Sequence, residues 1–209
     1  MKVEKLIVGE MQANCYLVWD EQSKEAMVID PGGDPDTIID AISRNSLKVI
    51  HIINTHGHVD HVEANDLIRQ KTGATLLIHS ADVSLLQDLE LNLSQALGRG
   101  KNFLPPTKAL EDKDKLKLNG FDLEVLHTPG HTSGSICLYG DKKLFSGDTL
   151  FAGGVGRTDL PGGNFRQLKD SLEYKILKLS DEVVVYPGHG PNTTIGKERR
   201  DNPFLGNQK

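Results

Sequence analysis

Four apolar, strand-like runs in this chain end in candidate metal-ligating histidines or aspartates, and that recurrence constrains its fold more than any other feature. The run at 48–53 leads into Asn54 to His61 (NTHGHVDH), which carries His56, His58, Asp60 and His61. The run at 121–126 leads into His127 to His131 (HTPGH), that at 143–146 into Gly147-Asp148-Thr149, and that at 182–186 into Pro187-Gly188-His189-Gly190. Layered α/β folds collect active sites at strand ends, because loops there can change without disturbing a core. A fold that brings these four ends to one edge gathers five histidines and two aspartates: His56, His58, His61, His131, His189, Asp60 and Asp148.

The spacing of the first cluster has a mechanical sense. Residues two apart in an extended or turning segment project to the same side, so His56 and His58 can clamp one ion while Gly57 lets the backbone come close. Asp60 and His61 fall where the chain turns into a helix, and they point past that ion toward a second. Imidazoles and carboxylates suit zinc, iron or manganese, and one ion needs only about three of them plus water. Seven donors therefore predict two divalent ions, zinc first among the candidates, with Asp148 as the carboxylate that can give one oxygen to each. Two such ions bring four positive charges against three negative ones from Asp60, Asp148 and a shared hydroxide. The remaining Lewis acidity favours hydrolysis, with Asp60 and Asp148 as the catalytic carboxylates. Asp30 is read as a support that orients a ligand imidazole by hydrogen bond. His51 and His79, inside apolar strands, are expected to be hydrogen-bonded core residues, and His127 a structural one.

Organisation follows from periodicity. Strands are expected near 3–8, 14–19, 25–29, 48–53, 76–79, 115–118, 121–125, 135–139, 143–146 and 182–186. Helices are expected from Asp34 with Pro35 at the first position, around Ala64, Leu67 and Ile68 up to Thr72-Gly73, and after a Ser80 cap. A further helix from about 164 to 179 should bury Phe165, Leu168, Leu172, Ile176 and Leu179 on one stripe. The weakly patterned stretch 90–108, with Gly98, Gly100 and Pro105-Pro106, is expected to be a mobile or lid-like connection. Two halves that each run from strands into strand-helix units predict one domain over 1–209, with two packed sheets and helices outside.

Composition narrows the partners. A net charge of −5 and a pI near 5.9 argue against nucleic acid, since phosphate contacts need clustered Lys and Arg. The compact basic run Lys197-Glu198-Arg199-Arg200 is read as a solvated face. MKVEKLIVGE has neither a long apolar core nor a small-residue cleavage site, and no window reaches the span of a bilayer, so cytoplasm is expected, with no membrane partner. Cys15 and Cys137 lack CxxC spacing and are expected to be small buried hydrophobes. A small-molecule substrate remains the expected partner, with nothing to set an oligomeric state.

Thr55 to His61 (THGHVDH), His127 to Gly134 (HTPGHTSG), Phe145 to Thr149 (FSGDT) and Pro187-Gly188-His189 together resemble the metallo-β-lactamase superfamily, in order and over essentially the whole chain. The likeness is greatest to its short glyoxalase II-like (hydroxyacylglutathione hydrolase) branch. That resemblance implies a four-layer αββα sandwich. It assigns His56, His58 and His131 to a first ion, Asp60, His61 and His189 to a second, and Asp148 to both. It implies hydrolysis of glutathione-type acyl thioesters, S-lactoylglutathione-like, by a hydroxide shared between the ions. Three departures bear on the substrate. Superfamily β-lactamases commonly carry Cys where Asp148 stands, which disfavours penicillins. Lys197, Arg199 and Arg200 are the only charges comparable to those with which long-form members hold glutathione. Gly154 to Asp159 (GVGRTD) is similar to a motif of persulfide dioxygenases, which use a single iron but carry Cys where Val155 stands. That makes a mononuclear iron dioxygenase the alternative, with lactonase, nuclease and non-catalytic metal-binding scaffold as minor branches. Arg157 is the expected substrate-side cation.

Overall fold

The computed structural model describes residues 1–205. The first sheet contains β1 (Lys2–Val8), β2 (Ala13–Trp19), β3 (Glu25–Ile29), β4 (Lys48–Ile53), β5 (Thr75–His79) and β6 (Lys108–Leu110), in that spatial order. Later strands are β7 (Lys115–Leu118), β8 (Phe121–His127), β9 (Ile136–Gly140), β10 (Lys143–Gly147), the small hairpin β11 (Leu150–Phe151) and β12 (Gly154–Val155), β13 (Val184–Pro187) and β14 (Thr193–Thr194). The second sheet runs β14-β13-β10-β9-β8-β7. Helices are α1 (Pro35–Arg44), α2 (Val59–Val62), α3 (Asn65–Thr72), α4 (Phe165–Tyr174) and α5 (Ile195–Asp201).

Every residue of β2 is buried, and its alternation shows why. Cys15, Leu17 and Trp19 face outward with Ile38, Ala41, Ile42 and Ile68 of α1 and α3. Tyr16 and Val18 face inward with Leu123, Val125, Ile136, Leu138 and Phe145 of the second sheet. Successive side chains of a strand point to opposite faces, so a run buried at every position lies between two covered faces. The second sheet does the same: Ile136 and Leu138 point inward while Cys137 packs with Leu168, Leu172, Ile176 and Ile195. Helix, sheet, sheet, helix is the four-layer αββα sandwich. Both cysteines are buried and unpaired as expected, and burial pushes the Cys137 thiol up to about 11.

Several local expectations give way to tertiary contacts. Residues 80–87 form a 3₁₀ helix capped by His79, whose Nδ1 accepts the Ala81 N–H at 3.3 Å, rather than a helix capped by Ser80. The 90–108 stretch is anchored, not lid-like. Asn92 and Ser94 are fully buried, Val59 N–H donates to the Asn92 carbonyl, and Phe103 packs under Val59, Val62, Ile78 and Leu86. α4 stops at Tyr174 and leaves Phe165 60% exposed, because its buried stripe begins at Leu168. The run at 197–200 is not uniformly solvated: Glu198 is buried and accepts from Thr193 Oγ1, Asn202 Nδ2 and Gly153 N–H. His51 is half-buried, and its buried Nδ1 lacks a partner, where a hydrogen-bonded core residue was expected.

Candidate metal centre

The parallel pairs β3–β4 and β10–β13 carry their C-terminal ends to one edge of the sandwich. The four ligand-bearing loops meet there. All seven predicted donors come together, in three groups whose ligand atoms lie within 4.8 Å of one another: His56, His58 and His131; His56, His61 and Asp148; Asp60, His61 and His189. His127 stays outside these groups, its ring stacked on His79 at 4.0 Å and its Nε2 donating to the Ser133 carbonyl at 2.9 Å.

His61, His131 and the His189 loop are held by their surroundings. Asp30 is buried; its Oδ1 accepts the Thr55 N–H at 2.7 Å, and its Oδ2 accepts from Thr55 Oγ1 at 2.7 Å and His61 Nδ1 at 3.0 Å. With Nδ1 donating, His61 turns Nε2 toward Asp148 Oδ1 at 3.4 Å and Asp60 Oδ2 at 3.6 Å. His131 Nδ1 donates to the Arg157 carbonyl at 2.8 Å, so its Nε2 points at His58 Nδ1, 3.0 Å away. The His189 loop is held from the other sheet: Asn14 N–H donates to the Gly188 carbonyl at 2.7 Å, and Tyr16 O–H to the Pro187 carbonyl at 2.7 Å. Gly188 lies so close to the cluster that a Cβ there would collide with the Asp148 carboxylate and stand 2.8 Å from His61 Cε1. That close approach demands glycine.

The electrostatics divide the cluster. Burial, then the neighbouring imidazoles, holds His56 well below its ordinary value, and burial with His131 takes His58 down to about 3. For His61 burial acts in the same direction, but Asp60, Asp148 and Asp30 outweigh it and push the ring up to about 10. His189 is also raised, Asp60 and Asp148 overcoming its burial, and Asp60 is held far below the carboxylate range by His61 and His189 despite burial. Three buried atoms of the cluster, His56 Nε2, His58 Nε2 and Asp148 Oδ1, have no hydrogen-bond partner. An unmet buried polar atom costs about 1–3 kcal/mol, so such a concentration at one point fits a donor set built to be completed by cations.

Arg157 does not reach the cluster with its guanidinium, which forms a two-pronged, exposed pair with Asp159 at 2.7 and 2.8 Å; its carbonyl is what touches His131. Asp82, which sequence reasoning missed, accepts from Gly57 N–H, Thr132 O–H and Gly134 N–H while wholly buried. No signal in Ser80 to Gln87 marks it, since its partners are distant in the chain. No helix among the described residues is long and apolar enough to cross a membrane.

Comparison with known proteins adds a lineage. The family model described as the metallo-beta-lactamase superfamily matches residues 8–189. The hydroxyacylglutathione hydrolase GloC of Haemophilus influenzae is 40% identical, with 98% of each chain covered. Among solved structures, the BLEG-1 B3 metallo-beta-lactamase superposes with a TM-score of 0.93 at 39% identity, covering 98% of this chain and 99% of the other. TTHA1623 in a di-iron-bound form superposes with a TM-score of 0.87 at 36% identity, covering 97% and 100%.

Proposed function

This chain belongs to the metallo-beta-lactamase superfamily, and from that premise we propose that it is a metal-dependent hydrolase of acyl thioesters of glutathione or a related small thiol. The observation that carries the reading is the pairing of the donors: one group of three imidazoles and one of Asp60, His61 and His189, with Asp148 between them and its Oδ1 unsatisfied. His56, His58 and His131 would hold one divalent ion and Asp60, His61 and His189 another, with Asp148 shared. Ions held there supply Lewis acidity, which lowers the pKa of water and polarises an acyl carbonyl.

The chain's own groups prepare that chemistry. Asp30 fixes the His61 ring, and the Arg157 carbonyl fixes the His131 ring, so neither imidazole has to reorganise when substrate arrives. Asp60 and Asp148 supply only two negative charges, and two divalent ions would leave the site cationic, ready for a carbonyl oxygen or a departing thiolate. The 40% identity to a hydroxyacylglutathione hydrolase over the full length supports the thioester as substrate class. Zinc, iron and manganese all suit this donor set, and the di-iron form of TTHA1623 makes iron a metal to load beside zinc.

The test is thioester loss from S-D-lactoylglutathione, followed on protein as purified, after chelation, and after reloading with zinc, iron or manganese. Loss that stops with chelator and returns with metal supports the reading. Fully metallated protein that leaves intact both S-D-lactoylglutathione and acyl thioesters of other small thiols overturns it. Two other substrates belong in the same assay. A β-lactam is warranted by the likeness to BLEG-1, and oxygen uptake with glutathione persulfide is warranted by Gly154 to Asp159.

A further inference from the structure

Asp82 lies in the 3₁₀ helix Ser80–Gln87, which contributes no donor to the cluster. It is wholly buried, and its three hydrogen bonds go to the two loops that carry the three-imidazole group. Oδ2 accepts the N–H of Gly57, between His56 and His58, at 3.0 Å and the hydroxyl of Thr132, beside His131, at 2.7 Å. Oδ1 accepts the N–H of Gly134 at 2.6 Å. Packing presses the same segment onto both loops: a Cβ on Gly57 would stand 2.6 Å from Leu85 Cβ, and one on Gly134 2.6 Å from Asp82 Cγ. The other group is supported elsewhere, by Asn14 and Tyr16 at the His189 loop and by Asp30 at His61, Asp30 also holding Thr55 beside His56.

We propose that Asp82 is the positioning residue of the His56–His58–His131 group alone, setting the separation of the two loops and so the affinity of that group for its ion. The inference requires ions at the cluster but not thioester hydrolysis, so a failed hydrolase assay leaves it standing. A carboxylate presents two acceptor oxygens, and all three donors use them. In Asp82→Asn the amide nitrogen must face either Gly134 N–H or the Gly57 and Thr132 pair. The Thr132 hydroxyl can turn and accept, but a backbone N–H cannot, so either orientation leaves one ligand loop with an unmet buried donor. Loss of such an outer partner typically weakens metal affinity about 10–100-fold.

The experiment titrates metal-free protein with cobalt(II), read by its visible absorption, and then with zinc against a competing chelator. Asp82→Asn is placed in two backgrounds, His189→Ala, which leaves the three-imidazole group intact, and His131→Ala, which leaves the other. The expected result is about a 10–100-fold loss of affinity and a changed cobalt spectrum in the His189→Ala background, and no change in the His131→Ala background. Equal losses in both backgrounds overturn the proposal in favour of a general structural role, as does a lowered Tm of the metal-free protein with unchanged affinity. If Asp82→Asn does not fold, Thr132→Val removes one of the three donors at nearly constant volume. It should give a smaller loss confined to the same background, and an unconfined or absent loss overturns the proposal.

Discussion

The two groups of donors at this edge of the sandwich solve the same problem with different chemistry. His56, His58 and His131 are three imidazoles at least 97% buried, and His56 and His58 are held in the neutral form that a metal ligand must have. Asp60, His61 and His189 are two imidazoles among carboxylates, and both rings are biased toward holding a proton. The first group is a cage of lone pairs waiting for charge. The second gathers carboxylates around imidazoles, and that setting favours on both rings the protons that an ion would have to displace. An ion entering the first group mainly relieves unpaired lone pairs; an ion entering the second must also expel protons.

Asp148 is where the comparison breaks most completely, because its carboxylate faces both groups, Oδ1 toward His61 and Oδ2 toward both His131 and His189. Asp148→Asn should abolish thioester hydrolysis and lower metal content in both groups, measured by turnover and elemental analysis. A fully active variant would remove Asp148 from its bridging place. Next in size, His131→Ala and His189→Ala should each take one ion per chain and leave the other, so that metal content after loading falls from about two to about one. Loss of both ions from either variant would mean that the groups are not separable.

Proton release sharpens the contrast. A His raised to about 10 favours the protonated folded state: its stabilisation is fully present below the ordinary value near 6.5 and is lost as pH rises through about 10. A His lowered to about 3 behaves oppositely, its neutral form favouring the fold until acidification passes from about 6.5 toward 3. Zinc binding to the Asp60–His61–His189 group should therefore release protons at pH 8, and its apparent affinity should climb about tenfold per pH unit for each proton released. The His131→Ala variant, which keeps only this group, should show that release in weakly buffered solution with an indicator dye. If instead His131→Ala binds zinc without releasing protons, the electrostatic division is wrong.

The same division separates what the sequence discloses from what it hides. The seven donors are legible because metal-competent side chains at the ends of apolar runs have no inexpensive structural use. The packing of two sheets is legible because Cys15 to Trp19 of β2 are apolar at successive positions and must lie between covered faces. Asp82 is not legible: within Ser80 to Gln87 it reads as an ordinary helical carboxylate, and its meaning comes from donors at Gly57, Thr132 and Gly134. Glu198 is hidden in the same way, its neighbours Lys197, Arg199 and Arg200 exposed while it reaches inward to Gly153 beside the β11–β12 hairpin. Local pattern reports what a side chain is, and tertiary contact decides what it holds.

The smallest expected effect is at Arg157, which touches the cluster only through its backbone. Its guanidinium is exposed and engaged with Asp159, so neither group of donors loses a partner when the side chain is removed. An exposed pair of this kind contributes little to the fold. Arg157→Ala should therefore leave metal content and kcat within about twofold while raising KM for a thioester of an anionic thiol severalfold, because a cation at the rim acts on encounter more than on chemistry. The rise should shrink as salt is added, since charges in open solvent are screened over about 10 Å at 0.1 M. Unchanged KM at low salt would remove Arg157 from the substrate side and leave its carbonyl, fixed on His131, as its only tie to the site. A fall in kcat with KM unchanged would point instead to disturbance of that carbonyl, and so to the three-imidazole group that it orients.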